Sequence, residues 1–277
     1  MNDESSAADA GRTRIVIAGA AGRMGHMLIR CAHARRSIEL VGAVECAGHD
    51  DLGRDAGDVA GIGTLGIAVT DDLAAVLERA DVLVDFTLHT AAPGNVKVAR
   101  SLRRAAVFGA TGLTRDETDA LMQAGMDIPI VWAPNMSLGM NFLFATVRRA
   151  AAVLGEDYRV KIDETHHVHK KDAPSGTALR LGEHVAEARG WNFDACMTHE
   201  EDGSREPGEK EVLIQSHREG EIVGIHGVSF SSAGETLELK HTAHSREAFA
   251  VGAMTAAAWV VRQRPRLYDM QDVLNLR

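Results

Sequence analysis

Three cysteines in 277 residues, Cys31, Cys46 and Cys196, are too few and too scattered for a disulfide framework or a C-x-x-C metal site. A reducing, cytoplasmic compartment is expected. Basic residues are also in short supply: 30 Lys+Arg face 39 Asp+Glu, for a net charge of −9, which argues against nucleic acid or anionic lipid as a partner. The longest uncharged run, Ile128–Val147, holds Pro129, Pro134, Asn135, Ser137, Gly139 and Asn141, so it reads as strand, loop and helix start and no membrane span is expected. Residues 1–13 are small and polar, lack the basic start and apolar segment of a signal peptide, and are expected to form a flexible tail. A G-x-x-x-x-G-K-[S/T] phosphate loop is missing, and neither Tyr158 nor Tyr268 has lysine four residues later, which excludes two other nucleotide-handling classes. Hydrophobic residues at 45% and charged residues at 25% leave an ordinary globular chain, long enough for one large α/β domain or two modest ones.

Apolar runs and helical spacings alternate through the first half. Strands are expected at 14–19, 39–44, 66–70, 82–87, 105–110 and 128–132, with helices at 24–34, 72–80, 94–104 and 114–125 between most of them. Thr114 and Glu117 stand at capping-box spacing before the last of these helices. Short apolar strands separated by helices imply βαβ units and a parallel sheet covered on both faces. The Gly- and Asp-rich connection 46–65 is long for such a unit and is expected to border a site. After a helix over 138–154 the texture changes to a strand at 158–167, a helix at 176–189, strands at 211–217, 222–232 and 236–244, and a closing helix at 246–262. The fold class is therefore α/β, a doubly wound parallel sheet, plus a second α+β domain with a largely antiparallel or mixed sheet.

Gly19-Ala20-Ala21-Gly22-Arg23-Met24-Gly25 lies between the first strand and its helix, where glycine permits a tight turn and brings backbone N–H groups close to a pyrophosphate. Glu45 ends the second strand about 20 residues on, placed to accept hydrogen bonds from ribose hydroxyls. Together they point to a Rossmann-like dinucleotide site, although a turn that needs glycine only for packing gives the same letters. Phe86-Thr87, Gly109-Ala110-Thr111-Gly112 and Ala133-Pro134-Asn135-Met136 end later strands of the same sheet and are expected to line the nicotinamide end of the cofactor.

The densest signal is Glu164-Thr165-His166-His167-Val168-His169-Lys170-Lys171-Asp172-Ala173-Pro174-Ser175-Gly176-Thr177-Ala178. On a strand, His166 and His167 face opposite ways. Ser175 is expected to cap a helix whose free N–H groups suit a carboxylate. Histidine and lysine beside such a helix start describe a site for a small acidic substrate that exchanges a proton; a solvated basic loop is the plainer alternative. His167 and His169 have i, i+2 spacing suited to zinc, but without neighbouring cysteines or an evident third ligand no metal is expected.

This run closely resembles the signature of the dihydrodipicolinate reductases, and the likeness extends through Gly19–Gly25, Val84-Asp85-Phe86-Thr87, Gly109–Gly112 and Asp269-Met270-x-Asp272-Val273-Leu274. The resemblance implies reduction of 4-hydroxy-tetrahydrodipicolinate, in the diaminopimelate route to lysine, with NADH or NADPH as cofactor. It implies a dinucleotide-binding domain made of residues 1–137 and 246–277 around a substrate-binding and tetramerisation domain over 138–245, in a homotetramer. By the same resemblance His166 and Lys170 are the proton-transferring pair, while His167, Ser175, Gly176 and Thr177 hold a small dicarboxylate substrate. Closure of the two domains is expected, because the implied proton donors and the nicotinamide turn fall in different ones.

Three positions depart from the family pattern. Cys46 replaces a residue that is commonly basic and useful for a 2′-phosphate, which leaves Arg23 as the remaining candidate and opens the way to NADH. Ala110 stands where threonine is common, and Leu88 where some members have arginine. Lys240 and His241 close a strand and are candidates for the substrate cleft or plain polar strand-end residues, and His169 has no assigned role. A dinucleotide-binding sensor without catalysis is the competing class, and it would need no His166–Lys170 constellation.

Overall fold

Thr13–Ala18 (β1) ends in four fully buried apolar residues, as a strand covered on both faces should. The computed structural model describes residues 11–277, so the tail expected at 1–13 lies mostly outside the described residues. The chain continues through α1 (Arg23–Ala34), β2 (Ile38–Val44), α2 (Ala56–Ala60), β3 (Val69–Thr70), α3 (Leu73–Leu77), β4 (Val82–Asp85), α4 (Ala92–Ser101), β5 (Ala105–Phe108), α5 (Arg115–Gly125) and β6 (Pro129–Trp132). Then follow α6 (Leu138–Val153), β7 (Arg159–His166), α7 (Gly176–Arg189), α8 (Phe193–Cys196), β8 (Met197–Glu201), β9 (Val212–Arg218), β10 (Gly224–Ser231), β11 (Thr236–Ala243), α9 (Glu247–Val260), β12 (Arg266–Tyr268) and α10 (Met270–Val273). Two units result: residues up to Met136 with Phe249–Val273, and Ser137–Ala248 with Leu274–Arg277.

The first unit holds a seven-stranded sheet in the order β12-β6-β5-β4-β1-β2-β3, and every neighbouring pair is parallel. The strand order reverses between β1 and β4, the switch point at whose carboxyl edge doubly wound sheets bind ligands. Val16, Leu83, Ala106, Phe108 and Ile130 carry the core across the strands. The chain's end returns to this unit, where α9 is close-packed: a Cβ on Gly252 would stand 1.7 Å from the Met136 carbonyl oxygen. Arg35 also donates to the Thr255 hydroxyl at 3.1 Å.

The second unit holds a five-stranded sheet, β11-β10-β7-β9-β8. β11 and β7 run antiparallel to β10, whereas β9 is parallel to both β7 and β8, so the sheet is mixed in equal parts. Its core joins Phe144 and Val147 of α6, Leu181 and Val185 of α7, and Val160, Ile162, Ile214 and Phe230 of the strands. The parallel half is the β7–β9 and β9–β8 pairs, and its outer strand β8 is a polar Met-Thr-His-Glu-Glu strand without an apolar alternation to announce it. The connection 46–65 is not structureless, for it contains α2, capped by Asp55.

Candidate active site

In the first unit, Gly19 turns the chain at φ +77°, and the Gly19 and Ala20 N–H groups donate to the Val44 carbonyl at 2.9 and 3.0 Å. Gly25 has no room for a side chain, since a Cβ would lie 2.1 Å from the Gly19 carbonyl oxygen. α1 begins at Gly22 without a side-chain cap and without an acidic residue in its first turn, so the N-terminal turn that carries Arg23 and Met24 is not claimed by an anion of the chain itself. Glu45 reaches back over this turn, its Oε2 accepting from Ala21 N at 3.1 Å and its Oε1 from Cys46 N at 3.0 Å. Cys46 is exposed. A backbone cradle at a bare helix start, with a carboxylate at the neighbouring strand end, fits a dinucleotide.

The strand ends beside this turn are tied together by one buried carboxylate. Asp85 closes β4 and accepts from Thr87 N (2.8 Å), Thr87 Oγ1 (2.6 Å) and Asn95 Nδ2 (2.8 Å). Burial raises its carboxyl above the usual range, and the bonds from Thr87 and Asn95 offset part of that rise. Thr87 Cγ2 stands 3.2 Å from where a Gly19 Cβ would be, and the Phe86 ring fills the space beside Gly109, where a Cβ would fall 2.3 Å away. Ala110 accepts from the Trp132 indole at 3.2 Å, and Ala133 N donates to Phe108 O at 3.2 Å. Gly19, Phe86, Thr87, Gly109, Ala110 and Ala133 are thus one neighbourhood; Met136 is buried against α9, Thr111 and Pro134 are exposed, and Asn135 is half-buried.

In the second unit, the buried phase of β7 is Val160, Ile162, Glu164 and His166, so a strand period of two carries apolar core straight into two polar groups. Glu164 Oε1 accepts from Ser175 N at 2.9 Å and from Ser216 Oγ at 2.7 Å, with Arg218 Nη1 at 3.8 Å. Glu164 Oε2 stands 3.3 Å from His166 Nδ1 and 3.7 Å from His226 Nε2, and neither Oε2 nor His166 Nδ1 completes a hydrogen bond. Burial alone would raise the Glu164 carboxyl, but His166, Ser175 and Ser216 together outweigh it and hold it well below the usual range. Burial, with the facing His166, pushes His226 down to about 3, so this imidazole is neutral at pH 7.

Glu164 thereby ties the strand end to the start of α7. Ser175 caps that helix through Ala178 N (3.2 Å) and hydrogen-bonds His226 Nε2 through the same hydroxyl (3.3 Å). Gly176 is exposed and Thr177 half-buried at the first turn, which has no acidic residue. Lys170 Nζ is held by Asp172 at 2.7 and 2.9 Å, and Arg218 braces that loop by donating to the Lys170 and Asp172 carbonyls at 3.3 and 2.6 Å. His167 lies just past β7, with His169 at a ring-centroid distance of 6.0 Å. Among the described residues, the His and carboxylate atoms that converge closely enough for a metal are those of Glu164, His166 and His226, within 4.8 Å of one another, and not those of His167 and His169. His241 faces Ser137 and Gly139 of the same unit, with a 3.2 Å contact to Ser137 Oγ.

A parallel sheet with a glycine turn at its switch point, joined in one chain to a mixed sheet that presents a buried Glu–His cluster beside a helix start, defines a two-unit pyridine-nucleotide-dependent reductase. Residues 13–136 match the family model "Dihydrodipicolinate reductase, N-terminus" and residues 139–274 the model "Dihydrodipicolinate reductase, C-terminus". The chain belongs to the dihydrodipicolinate reductase family. It is 47% identical to a 4-hydroxy-tetrahydrodipicolinate reductase of Anaeromyxobacter dehalogenans over 96% of this chain and 98% of the relative. Against the enzyme of that name from Geobacter sulfurreducens it is 45% identical, over 96% of this chain and all of the relative. Among solved structures it superposes on a dipicolinate-bound dihydrodipicolinate reductase from Paenisporosarcina sp. TG-14 with a TM-score of 0.75 and 21% identity, covering 94% of this chain and 98% of the other. An amine dehydrogenase from Mycobacterium smegmatis shares the fold at a TM-score of 0.65 and 15% identity, over 93% and 95% of the two chains.

Proposed function

We propose that the protein reduces 4-hydroxy-tetrahydrodipicolinate to tetrahydrodipicolinate with NADH or NADPH, in the diaminopimelate branch of lysine biosynthesis in the cytoplasm. The observation that carries this reading is the match of both units to one reductase family, with the Glu164–Ala178 run seated at a strand end and a helix start. Residues 1–137 with 246–277 serve the cofactor, and 138–245 serve substrate binding and tetramerisation. Overall the 4-hydroxyl is lost as water, and the reduced nicotinamide, when bound, would supply the hydride that the C4 end of the resulting conjugated imine takes up. His166 then supplies the proton that the resulting electron density requires, acting as a general acid. Lys170 exchanges Asp172 for the substrate and becomes the second proton donor. The N–H groups at Gly176 and Thr177, with Ser175 and His167, hold the carboxylates, as a helix start favours anions. The dicarboxylate in the Paenisporosarcina structure supports that substrate class.

On the cofactor side, Gly19–Met24 receive the pyrophosphate and Glu45 the adenosine ribose, while Phe86, Thr87, Gly109–Thr111 and Ala133–Met136 border the nicotinamide. With Cys46 beside Glu45 and only Arg23 left for a 2′-phosphate, NADH is used at least as well as NADPH. β11 is the outer strand of its sheet and shows an exposed run with Leu237, which suits pairing in a homotetramer.

The test is the oxidation of NADH and NADPH with substrate generated in place by a separate synthase from pyruvate and aspartate semialdehyde. Synthase-dependent turnover, inhibited by pyridine-2,6-dicarboxylate, is expected. A folded protein that binds dinucleotide and turns over neither cofactor would overturn the reading in favour of a sensor. His166→Gln is expected to lower kcat by about 10²–10⁴-fold, the range for one general acid, with the dinucleotide Kd unchanged.

A further inference from the structure

Building on His166 as the proton donor, we infer that Glu164 is a positioning residue that fixes the tautomer of that imidazole, holding Nδ1–H on its Oε2 so that Nε2 is the nitrogen that meets the substrate. Three observations combine. The two oxygens of Glu164 are used unequally: Oε1 is filled by Ser175 N and Ser216 Oγ, while Oε2 faces His166 Nδ1 at 3.3 Å. Both atoms of that facing pair are buried and otherwise without a hydrogen bond, an arrangement that costs desolvation unless a proton lies between them. An ionised carboxylate can only accept, so the proton belongs to Nδ1. On the other side of the ring, Nε2 lies 3.2 Å from the place a Gly224 Cβ would take, so the missing side chain at the start of β10 leaves the reacting nitrogen its space.

The charges around the ring agree with this assignment. Glu164 is ionised on β7, Arg218 stands at the end of β9, and His226 on β10 meets the His166 ring edge-on at 5.0 Å while staying neutral. Lys170 and His241 act on the His226 side of the cluster. After Nε2 gives up its proton, the neutral ring is left as the Nδ1–H form that Glu164 already holds, so the step needs no reorientation. A cation seated among Glu164, His166 and His226 would demand the opposite, a bare Nδ1.

The test begins with the intact wild-type protein labelled with nitrogen-15 histidine, the His166 signals being assigned by their loss in His166→Gln. The Nδ1–H form is expected as the neutral tautomer, and a neutral Nε2–H form would overturn the inference without any Glu164 variant having to fold. In Glu164→Gln, kcat is expected to fall by about 10–100-fold, as for groups that orient an acting histidine. The pH–rate limb that reports the donor should move to lower pH, since the carboxylate no longer favours imidazolium. Dinucleotide Kd should stay the same, and Glu164→Asp should recover part of kcat. A folded Glu164→Gln with wild-type kcat and an unmoved limb sinks the positioning role. If His166→Gln itself keeps wild-type kcat, the proton-donor reading has failed as well; loss in His166→Gln alone removes only Glu164.

Discussion

At the scale of single residues, the carboxyl edge of the first unit depends on small side chains that leave room for larger ones. Gly109 is the clearest case, because a Cβ there would meet the Phe86 ring at 2.3 Å, and Phe86 is fixed by the Asp85–Thr87 turn beside it. Gly109→Ala must push an aromatic ring aside, at a cost of about 1–3 kcal/mol of the kind that overpacking brings. A lower thermal midpoint and a raised KM for NADH, with pyridine-2,6-dicarboxylate affinity unchanged, are the expected readings. Glu45→Ala removes the carboxylate proposed to receive the ribose, and the cofactor KM is expected to rise by about tenfold or more while substrate KM stays put. The Glu164–Ala178 run and the glycine turn stand out by motif alone, whereas the buried network of Glu164 with Ser216, Arg218 and His226 does not. Their signal was in the strand period: Val160, Ile162, Glu164 and His166 share one phase of β7, and Gly224, His226, Val228 and Phe230 one phase of β10. A polar residue on an apolar phase marks a buried network, but only the fold shows that the two phases meet.

At the scale of elements, the long connection after Glu45 is organised around one side chain and holds a short helix of its own. Asp55 gathers the chain by accepting from Gly57 N (2.8 Å), Leu65 N (2.8 Å), Gly66 N (2.7 Å) and Ile67 N (2.9 Å), which caps α2 and fastens its return in one stroke. These N–H groups hold the Asp55 carboxyl below its ordinary value, although the burial it does have pulls the other way. Asp55→Ala strips the cap and the return bonds together and is expected to cost the first unit about 1–3 kcal/mol, read as a lowered unfolding midpoint. The strands and helices of the parallel sheet were legible because period and punctuation agreed, down to the Thr114–Glu117 capping box that α5 displays. β8 and β12 were not, for different reasons. β8 is held by polar contacts such as His199 to Ser216 at 3.0 Å, and β12 is three residues long behind Pro265, so neither leaves an apolar pattern. β8 adds the outer parallel pair to a second sheet that is mixed, as expected.

At the scale of the whole molecule, acid acts on the second unit through groups whose folded and unfolded proton affinities differ. His226 is held near 3 by burial, against an ordinary value of 6.5, so between these pH values the unfolded chain binds a proton that the folded chain refuses. Stability therefore rises with pH across that window and is lost as pH falls from about 6.5, at up to about 1.4 kcal/mol per pH unit for one proton. Glu211, lowered to about 2 by Arg205, adds a loss of the same sign below its ordinary 4.5, and the depressed Glu164 does likewise. Asp85 in the first unit has the opposite sign, because a carboxyl raised by burial favours the folded state as it takes up its proton. Trp191 lies in the second unit, while Trp132 and Trp259 lie in the first, so a Trp132→Phe/Trp259→Phe background reports the second unit alone by fluorescence. In that background the urea midpoint should fall steadily between pH 6.5 and 5, above the depressed carboxyls of Glu164 and Glu211. His226→Phe should flatten that segment, whatever it does to the midpoint at pH 7, because the proton it withholds is gone from both states. An equally steep segment in His226→Phe would place the acid sensitivity elsewhere and remove the buried neutral imidazole as its cause.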